Sequence, residues 1–325
     1  MAYPVVGGLG GVGGERVTDA LLHVVTGAFG YTGRYIAREL IAGGGRVRTL
    51  TNSLDRGNPF GVDIEVHPID FDDPPALVES LRGAYALYNT YWVRYDHQEG
   101  STDFGYAQAV ENSKILFDCA RTAGVRRVVH VSVANAREDS DWGYFRGKAP
   151  LEQELLASGL SHAIVRPTVI YGRPENVLIN NIAWLLRHLP VFGVFGRGEA
   201  RLTPIHVEDL ARICVEAADR DSDQTIDAVG PETFTYREMV EEMARAMGLR
   251  RPILPIPDFV ALTVGKVLGL FLGDIVITRH EISSLRDESM YTGTEPLGTT
   301  KFSDWLKTES DTLGRRYLND LDRRR

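Results

Sequence analysis

The 325-residue sequence is poor in cysteine and in positive charge, and each shortage excludes a class of protein. Its two cysteines, Cys119 and Cys214, stand far apart in apolar helical patterns. This excludes a disulfide scaffold and favours buried free thiols in a reducing compartment. The net charge of −8 argues against nucleic acid as a partner, because that contact needs concentrated Lys and Arg. We therefore expect an ordinary globular, cytoplasmic protein.

Long apolar runs are also missing, since none reaches the roughly 18 residues that a membrane-spanning helix requires. The nearest candidate, Phe259 to Leu272, is interrupted by Lys266 and followed by Asp274. It is predicted to be a buried or interfacial helix. Three roles stay open for it: a lid over an apolar substrate, a homodimer contact, or a peripheral contact with a membrane surface.

Glycine, in contrast, is abundant, and two clusters have the spacing of a nucleotide-binding turn. The first, Gly8–Gly13, has neither a convincing strand before it nor a helix after it, so residues 1–20 are interpreted as a flexible leader. The second, GAFGYTG at residues 27–33, follows a strand-like run over 21–26 and precedes a helical pattern over 34–42. This strand–turn–helix unit predicts NAD(P) with its pyrophosphate at the helix N-terminus.

Strand and helix patterns then alternate along the chain. Further strands are predicted over residues 46–51, 64–70, 84–89, 128–132 and 163–167, with helices over 75–82, 102–123 and 144–158. This order predicts an α/β fold, a Rossmann-type doubly wound parallel sheet with helices on both faces.

The chain is expected to divide into two parts after the leader. Residues 21–172 are predicted to form the NAD(P)-binding domain, and residues 173–325 a smaller mixed substrate-binding part. Residues 203–230 are expected to return to the first domain. Ligands of such sheets bind at the carboxyl ends of the strands. That edge is predicted to carry Gly27, Thr51, Asp70, Asn89, Ser132 and Pro167.

Candidate catalytic residues lie near this edge. Tyr144 and Lys148 form a Tyr-x-x-x-Lys pair on a predicted helix, where residues four apart share a face. Ser132 ends a predicted strand, and Asn112 lies in the helix after the fourth strand. Both side chains of the Tyr-x-x-x-Lys pair can therefore point into one cleft, and a tyrosine with a pKa near 10 needs such a nearby cation to act near neutral pH. The alternative is that Tyr144 and Lys148 only occupy a helix surface.

With these residues in this order, the chain resembles the short-chain dehydrogenase/reductase superfamily in its extended and atypical branches, which include epimerase-like and NmrA-like proteins. Residues 166–172 (RPTVIYG) and 205–211 (IHVEDLA) resemble two segments of those branches. By that resemblance Tyr144 is the general acid/base, and Lys148 lowers its pKa and holds the nicotinamide ribose. Ser132 polarises the substrate carbonyl, and Asn112 supports a proton relay.

The identity of the cofactor is predicted from the end of the second strand. An acid about twenty residues beyond the glycines would bind the ribose of NAD. Thr51-Asn52-Ser53 stand there instead, while Arg34 and Arg56 can reach a 2′-phosphate. We therefore predict NADP in preference to NAD, and no metal. The residues predicted to bind the cofactor are Gly27, Phe29, Gly30, Tyr31, Thr32, Gly33, Arg34, Asn52, Ser53, Arg56, Asp70, Asn89, Lys148, Pro167, Thr168 and Val169.

Three functions follow as alternatives, each with a small-molecule or cofactor ligand. The first is an NAD(P)-dependent oxidoreductase of the carbonyl reductase or alcohol dehydrogenase type. The second is a nucleotide-sugar-type epimerase or dehydratase with tightly held NAD, against which the missing acid counts. The third is a non-catalytic NAD(P)H sensor or assembly protein, which the apolar segment 259–272 favours. The complete Asn112, Ser132, Tyr144 and Lys148 set favours the first.

Overall fold

The computed structural model describes residues 20–54, 57–93, 105–140, 143–172, 176–286 and 288–319. The predicted leader with Gly8–Gly13 and the predicted cofactor ligand Arg56 lie outside these residues.

Thirteen strands and ten α-helices make up the described parts of the chain. The strands are β1 (Leu22–Thr26), β2 (Arg46–Thr51), β3 (Ile64–Pro68), β4 (Ala84–Asn89), β5 (Arg127–Val131), β6 (His162–Pro167), β7 (Ile170–Tyr171), β8 (Phe192–Phe195), β9 (Arg201–Leu202), β10 (Ile205–His206), β11 (Gln224–Ala228), β12 (Phe234–Thr235) and β13 (Ile253–Ile256). The helices are α1 (Tyr31–Ala42), α2 (Pro74–Leu81), α3 (Tyr106–Ala123), α4 (Gly143–Ala157), α5 (Val177–His188), α6 (Val207–Ala218), α7 (Tyr236–Ala246), α8 (Asp258–Leu272), α9 (Arg279–Ser284) and α10 (Phe302–Glu309).

Seven parallel strands form the central sheet, in the spatial order β11-β6-β5-β4-β1-β2-β3. Helices α1 and α6 pack together on this sheet, and α2, α3 and α4 form a second packed group. Every position of β1 and β5 is buried, which explains why both strands read as nearly continuous apolar runs. The predicted Rossmann-type α/β fold is confirmed.

The seventh strand of the sheet comes from the second half of the chain. β11, with the sequence QTIDA, pairs in parallel with β6 at the edge of the sheet. This strand was not predicted, because an edge strand that is only partly buried keeps polar residues and loses the apolar signal. Most predicted bounds differ from the structure by one or two residues.

The start of α1 differs more, because the predicted helix begins at Arg34 and the observed helix begins at Tyr31. Its N-cap is Gly30, in an extended conformation. Since the sequence offers no Ser, Thr, Asp or Asn in the capping position, the usual signal for the first turn is missing. Half of the glycine motif is therefore the first turn of the helix.

A second apolar core lies outside the central sheet. It is built mainly from α5, α7, α10 and the parallel β8–β13 pair, with Ile179, Phe192, Met239 and Trp305 among its buried members. Part of α8 contributes Ala261 to this core. The opposite side of α8 is exposed to solvent. Within the described ranges, no helix combines the length and apolarity needed to cross a bilayer.

Asp209 of α6 ties this second part of the chain back to the sheet. Its buried carboxylate accepts hydrogen bonds from the backbone N–H groups of Thr299 and Thr300, at 2.9 and 2.8 Å. It also accepts one from the Thr299 hydroxyl at 3.1 Å. Beside it, His206 caps the start of α6. His206 and Asp209, both in the IHVEDLA segment, thus fix the course of the backbone.

Gly33 of α1 packs directly against the backbone of Gly27, just after β1, so a methyl group there should be costly. A Cβ atom on Gly33 would lie 2.4 Å from the Gly27 carbonyl oxygen. We expect Gly33→Ala to lower the free energy of unfolding by about 1–3 kcal/mol, measured by urea denaturation. Gly57→Ala is the matched control, since a Cβ atom there meets nothing within 4 Å. Equal stability of the two variants would contradict this account.

Candidate active site

The glycine turn lines a cavity of about 460 Å³ at the carboxyl ends of the strands. Gly27 has a φ of +68°, which favours glycine, and its N–H donates to the Leu50 carbonyl oxygen at 2.8 Å. The cavity lies between β1, β2 and β4, where the sheet order reverses. Its walls are formed by Thr26, Gly27, Gly30, Tyr31, Thr32, Gly33, Leu50, Thr51, Asn52, Ile69, Thr90, Tyr91, Trp92, Val93 and Tyr144.

The N-terminus of α1 faces this cavity without a side-chain cap. Its N-cap residue, Gly30, has no side chain that could accept hydrogen bonds from the first-turn N–H groups, and the first turn contains no acidic residue. Such N–H groups, together with the positive end of the helix dipole, form an anion-binding site. The turn therefore fits the pyrophosphate of a dinucleotide.

A larger cavity of about 1050 Å³ adjoins the first and extends into the second core. Seven residues line both cavities: Gly30, Tyr31, Asn52, Tyr91, Trp92, Val93 and Tyr144. Most of the larger wall is apolar, and α5, β8, α7 and α8 each contribute to it. Its apolar members include Ile182, Leu185, Phe192, Phe195, Leu202, Met239, Ile256, Val264, Leu268, Ile277 and Met290. This lining suits an apolar ligand.

Tyr144, at the start of α4, stands where the two cavities meet. Its ring contacts Trp92 edge-on, with the ring centroids 6.0 Å apart. Ser132, directly after β5, lines the larger cavity beside it. Two of the four predicted catalytic residues therefore reach the space where a substrate and a cofactor would meet.

Lys148 lies one turn further along α4 and lines neither cavity. It is 2% exposed, and its Nζ donates to the Val131 carbonyl oxygen at 2.8 Å. The Trp92 ring covers it, with the ring centroid 4.4 Å from Nζ. Burial lowers the pKa of Lys148 to about 7, and the Glu152 carboxylate opposes that shift.

Trp92 reaches this position because α4 carries a glycine opposite it. A Cβ atom on Gly147 would lie 2.8 Å from the Trp92 ring. The indole Nε1–H of Trp92 is buried, with no hydrogen-bond partner in the described part of the chain.

Ser132 is held by an acid that the sequence analysis did not single out. Its hydroxyl donates to Glu152 Oε1 at 2.5 Å. Glu152 is 4% exposed and forms an ion pair with Arg166, whose Nε donates to Oε1 at 3.0 Å. The signal was available, because Glu152 follows Tyr144 and Lys148 at spacings of four on the same helix face.

Asn112, on α3, is tied to the loop that follows β4. Its Nδ2 donates to the Tyr91 hydroxyl at 2.9 Å, and its Oδ1 accepts from Gln108 at 2.8 Å. Burial raises the pKa of Tyr91, and the hydrogen bond from Asn112 opposes that rise. Asn112 thus touches a residue that lines both cavities but does not line them itself. Tyr91, Trp92 and Val93 are the last described residues before residue 105.

Most of the predicted cofactor residues are on the cavity walls. Those on one wall or both are Gly27, Phe29, Gly30, Tyr31, Thr32, Gly33, Arg34, Asn52, Ser53, Pro167, Thr168 and Val169. The Arg34 guanidinium also donates to the Phe29 carbonyl oxygen at 3.0 Å.

Asp70, Asn89 and Lys148 line neither cavity. Asp70 is exposed and accepts from the Asp72 N–H at 2.9 Å. Asn89 is fully buried and accepts from the Tyr91 N–H at 3.0 Å, which fixes the exit of the chain from β4. Thr90, the next residue, reaches the cavity instead. Its Oγ1 donates to the Thr26 carbonyl oxygen at 2.5 Å.

Comparison with known proteins assigns this arrangement to a family. A model of the NAD-dependent epimerase/dehydratase family matches residues 23–230. The chain belongs to the NAD-dependent epimerase/dehydratase family. The resemblance to the extended short-chain dehydrogenases is thereby confirmed, and the uncapped glycine turn fits the NAD(P) that this family binds.

Individual relatives span most of the chain. The ceramide reductase of Caulobacter vibrioides is 30% identical over 258 residues, 75% of this chain and 76% of that protein. The mitochondrial NADH-ubiquinone oxidoreductase 40 kDa subunit of Neurospora crassa is 26% identical over 285 residues, 85% of this chain and 72% of that protein. The structure of Citrobacter sp. triphenylmethane reductase complexed with NADP(H) covers 89% of this chain and 99% of its own, with a TM-score of 0.71 and 15% identity. The last of these shows the shared fold.

The buried position of Lys148 predicts a pH-dependent stability. Because burial lowers the pKa of Lys148 from its ordinary 10.5 to about 7, the unfolded chain binds a proton there between these values that the folded chain does not. Stability relative to Lys148→Met should therefore rise with pH above 7, by up to about 1.4 kcal/mol per unit. Urea unfolding at pH 7 and pH 9 measures the difference.

Lys114→Met is the control for this measurement, because Lys114 pairs with Glu111 at the surface of α3. Its difference from the wild type should not change with pH in this way. If the free energies of unfolding of the wild type and Lys148→Met changed equally with pH, the buried ammonium would not be destabilised.

Proposed function

We propose that the protein is an NADP-preferring reductase that acts on the carbonyl group of an apolar small molecule, with Tyr144 as the proton donor. The observation that carries the proposal is the place of Tyr144 on the walls of both cavities. A reductase must bring its hydride donor and its substrate together at one point. The glycine-turn cavity and the apolar cavity meet at this tyrosine.

Each residue of the site has a definite task in this proposal. The nicotinamide, when bound, supplies the hydride for the carbonyl carbon. The Tyr144 hydroxyl donates its proton to the carbonyl oxygen. Lys148, one turn away, favours the ionised phenol that remains while its own ammonium is charged, and its lowered pKa limits that effect to about pH 7 and below. The Ser132 hydroxyl already donates to Glu152, so we assign the main hydrogen bond to the carbonyl to Tyr144. Asn112 acts through Tyr91, whose loop forms part of both walls.

An apolar substrate is supported by the lining of the larger cavity. Most of its surface is apolar, and Asn176, Asn181, Asp274 and Glu281 are among the polar residues on its wall. The similarity to a protein named ceramide reductase points the same way, since a ceramide is a lipid. The apolar lining also counts against the epimerase alternative, in which the substrate is a nucleotide sugar.

Two features favour NADP, one at the end of β2 and one on α1. Asn52 and Ser53 line the cavities where an acid would bind the ribose of NAD, and neither repels a phosphate. Arg34 lines the larger cavity nearby and carries the positive charge that a 2′-phosphate needs.

A non-catalytic NAD(P)H-binding protein is the second candidate, and two contacts favour it. Trp92 covers Lys148, and Glu152 accepts a hydrogen bond from the Ser132 hydroxyl, so both groups are engaged within the protein. The similarity to a subunit of the Neurospora crassa NADH-ubiquinone oxidoreductase is consistent with this alternative. The two candidates differ in one measurable property, the dependence of function on the Tyr144 hydroxyl.

Removing that hydroxyl should stop turnover without weakening cofactor binding. We expect Tyr144→Phe to lower kcat for carbonyl reduction by about 10²–10⁴-fold, because a positioned proton donor contributes about this much. NADPH affinity, from fluorescence titration, should stay unchanged. Tyr85→Phe is the matched control, since its hydroxyl contacts Asp219, outside both cavities. NADPH binding without oxidation by the wild type, over a panel of ketones, aldehydes and quinones, would favour the non-catalytic candidate.

Placing an acid at the end of β2 should reverse the cofactor preference. We expect Asn52→Asp to weaken NADPH binding about tenfold or more by charge repulsion, and to leave NADH binding equal or tighter. Gln224→Glu adds the same charge on β11, away from both cavities, and should change neither affinity. Equal weakening of NADH and NADPH by Asn52→Asp would mean that the 2′-phosphate does not lie at this residue.

A further inference from the structure

One side of α8, here called the outer face, leaves large apolar side chains in solvent. It consists of Phe259, Val264, Val267, Leu270 and Phe271. Phe259, Leu270 and Phe271 are 71%, 85% and 84% exposed, and the two valines are about half exposed. Their spacings of three, four, seven and eight residues place them in one arc of the helix. A contiguous exposed apolar surface of this kind marks an interaction site.

The opposite side of the same helix is a wall of the larger cavity. Ala261, Gly265 and Leu268 line that cavity. Val264 and Ile275 line it while remaining 45% and 38% exposed, so they lie at an opening of the cavity, as does Leu178 of α5, which is 40% exposed. Since Val264 also belongs to the outer face, the opening lies beside this face. A ligand could pass between the cavity and the outer face along a continuous apolar path.

The charges of α8 agree with a surface rich in phosphate. The one acid of this fully described helix, Asp258, forms an ion pair with Arg286 at 3.0 Å. The outer face has no carboxylate, although the chain as a whole has a net charge of −8. The exposed Lys266 borders this arc on the side of Phe259. An exposed aromatic and aliphatic face without acids can bind at a bilayer interface, where the buried apolar area contributes to the binding strength.

The length of α8 also favours a helix that lies at the bilayer surface over one that spans the bilayer. Its 15 residues correspond to about 22 Å of helix, shorter than the hydrocarbon thickness of a bilayer. A helix of this length can bury one side in the interface and keep the other against its own protein. A second copy of the chain on the same face would instead obstruct the opening at Val264 and Ile275.

We propose that the outer face of α8 docks on the surface of a lipid bilayer. The cavity exchanges its apolar ligand with the bilayer through the opening at Val264 and Ile275. The docking depends only on the outer face, whereas the delivery of a substrate rests on the reductase function proposed above.

Flotation with vesicles tests the docking. The probes are vesicles of phosphatidylcholine alone and of phosphatidylcholine with phosphatidylglycerol, mixed with the full chain. We expect the wild type to float with both, and more strongly with the anionic vesicles because of Lys266. The double variant Leu270→Glu/Phe271→Glu should reduce the bound fraction about tenfold or more, because two large side chains lose their burial. Neither residue lines a cavity, so NADPH binding reports whether the variant is folded.

Val62→Glu/Leu156→Glu is the matched control. It introduces the same two negative charges at apolar residues elsewhere on the surface, Val62, which is 100% exposed, and Leu156, which is 58% exposed. It should float like the wild type. Failure of the wild type to float, or equal loss in both double variants, would overturn the proposal. So would a wild-type dimer that becomes monomeric in Leu270→Glu/Phe271→Glu without any vesicle binding, because the face would then join two copies.

A second readout separates the docking from the reductase function. NADPH oxidation is followed with hexan-2-one in buffer and with heptadecan-2-one embedded in vesicles. Leu270→Glu/Phe271→Glu should slow only the vesicle reaction, by about tenfold. If the wild type floats but oxidises NADPH with neither ketone nor any carbonyl of the panel, the function fails and the docking stands. Equal slowing of both reactions would exclude delivery through the opening.

Discussion

The close approach of α1 to the end of β1 is the constraint on which the site depends. Gly33 leaves no room for a side chain against the Gly27 carbonyl, so the first turn of the helix rests directly on the turn that precedes it. This contact aims the uncapped N–H groups into the cavity between β1, β2 and β4. If the helix stood further off, the same N–H groups would point into solvent and would lose their value as an anion site.

The parallel sheet also brings together the residues around Tyr144. Tyr91 and Trp92 follow the end of β4, and Ser132 follows the end of β5. Helix α4 crosses both strand ends and carries Tyr144, Lys148 and Glu152 on the face toward them. The chemistry therefore depends on three separate stretches of chain that meet only because the sheet is parallel. Trp92 fills the gap between them, which shields Lys148 from water and keeps the ammonium of Lys148 in an apolar setting.

The sequence predicted the fold well where the signal is local. Buried parallel strands read as apolar runs, and the glycine turn stands between a strand and a helix, so six of the seven strands of the sheet and the cofactor cavity could be located. Tyr144 and Ser132 were also found, because motif spacing is a property of neighbours along the chain. The polar edge strand β11 was missed, since its burial comes from one side only. Glu152 and Trp92 were not recognised as partners of Ser132 and Lys148, because those pairings depend on how α4 crosses the strand ends.

The tie between Asp209 and residues Thr299 and Thr300 has a consequence for how the molecule unfolds. The chain leaves the sheet, builds the second core, and comes back to be held by a buried carboxylate on α6. Neither core can open fully without breaking these hydrogen bonds, and the larger cavity lies between the two cores. Loss of structure in one should therefore carry into the other, so that the two melt as a single cooperative unit.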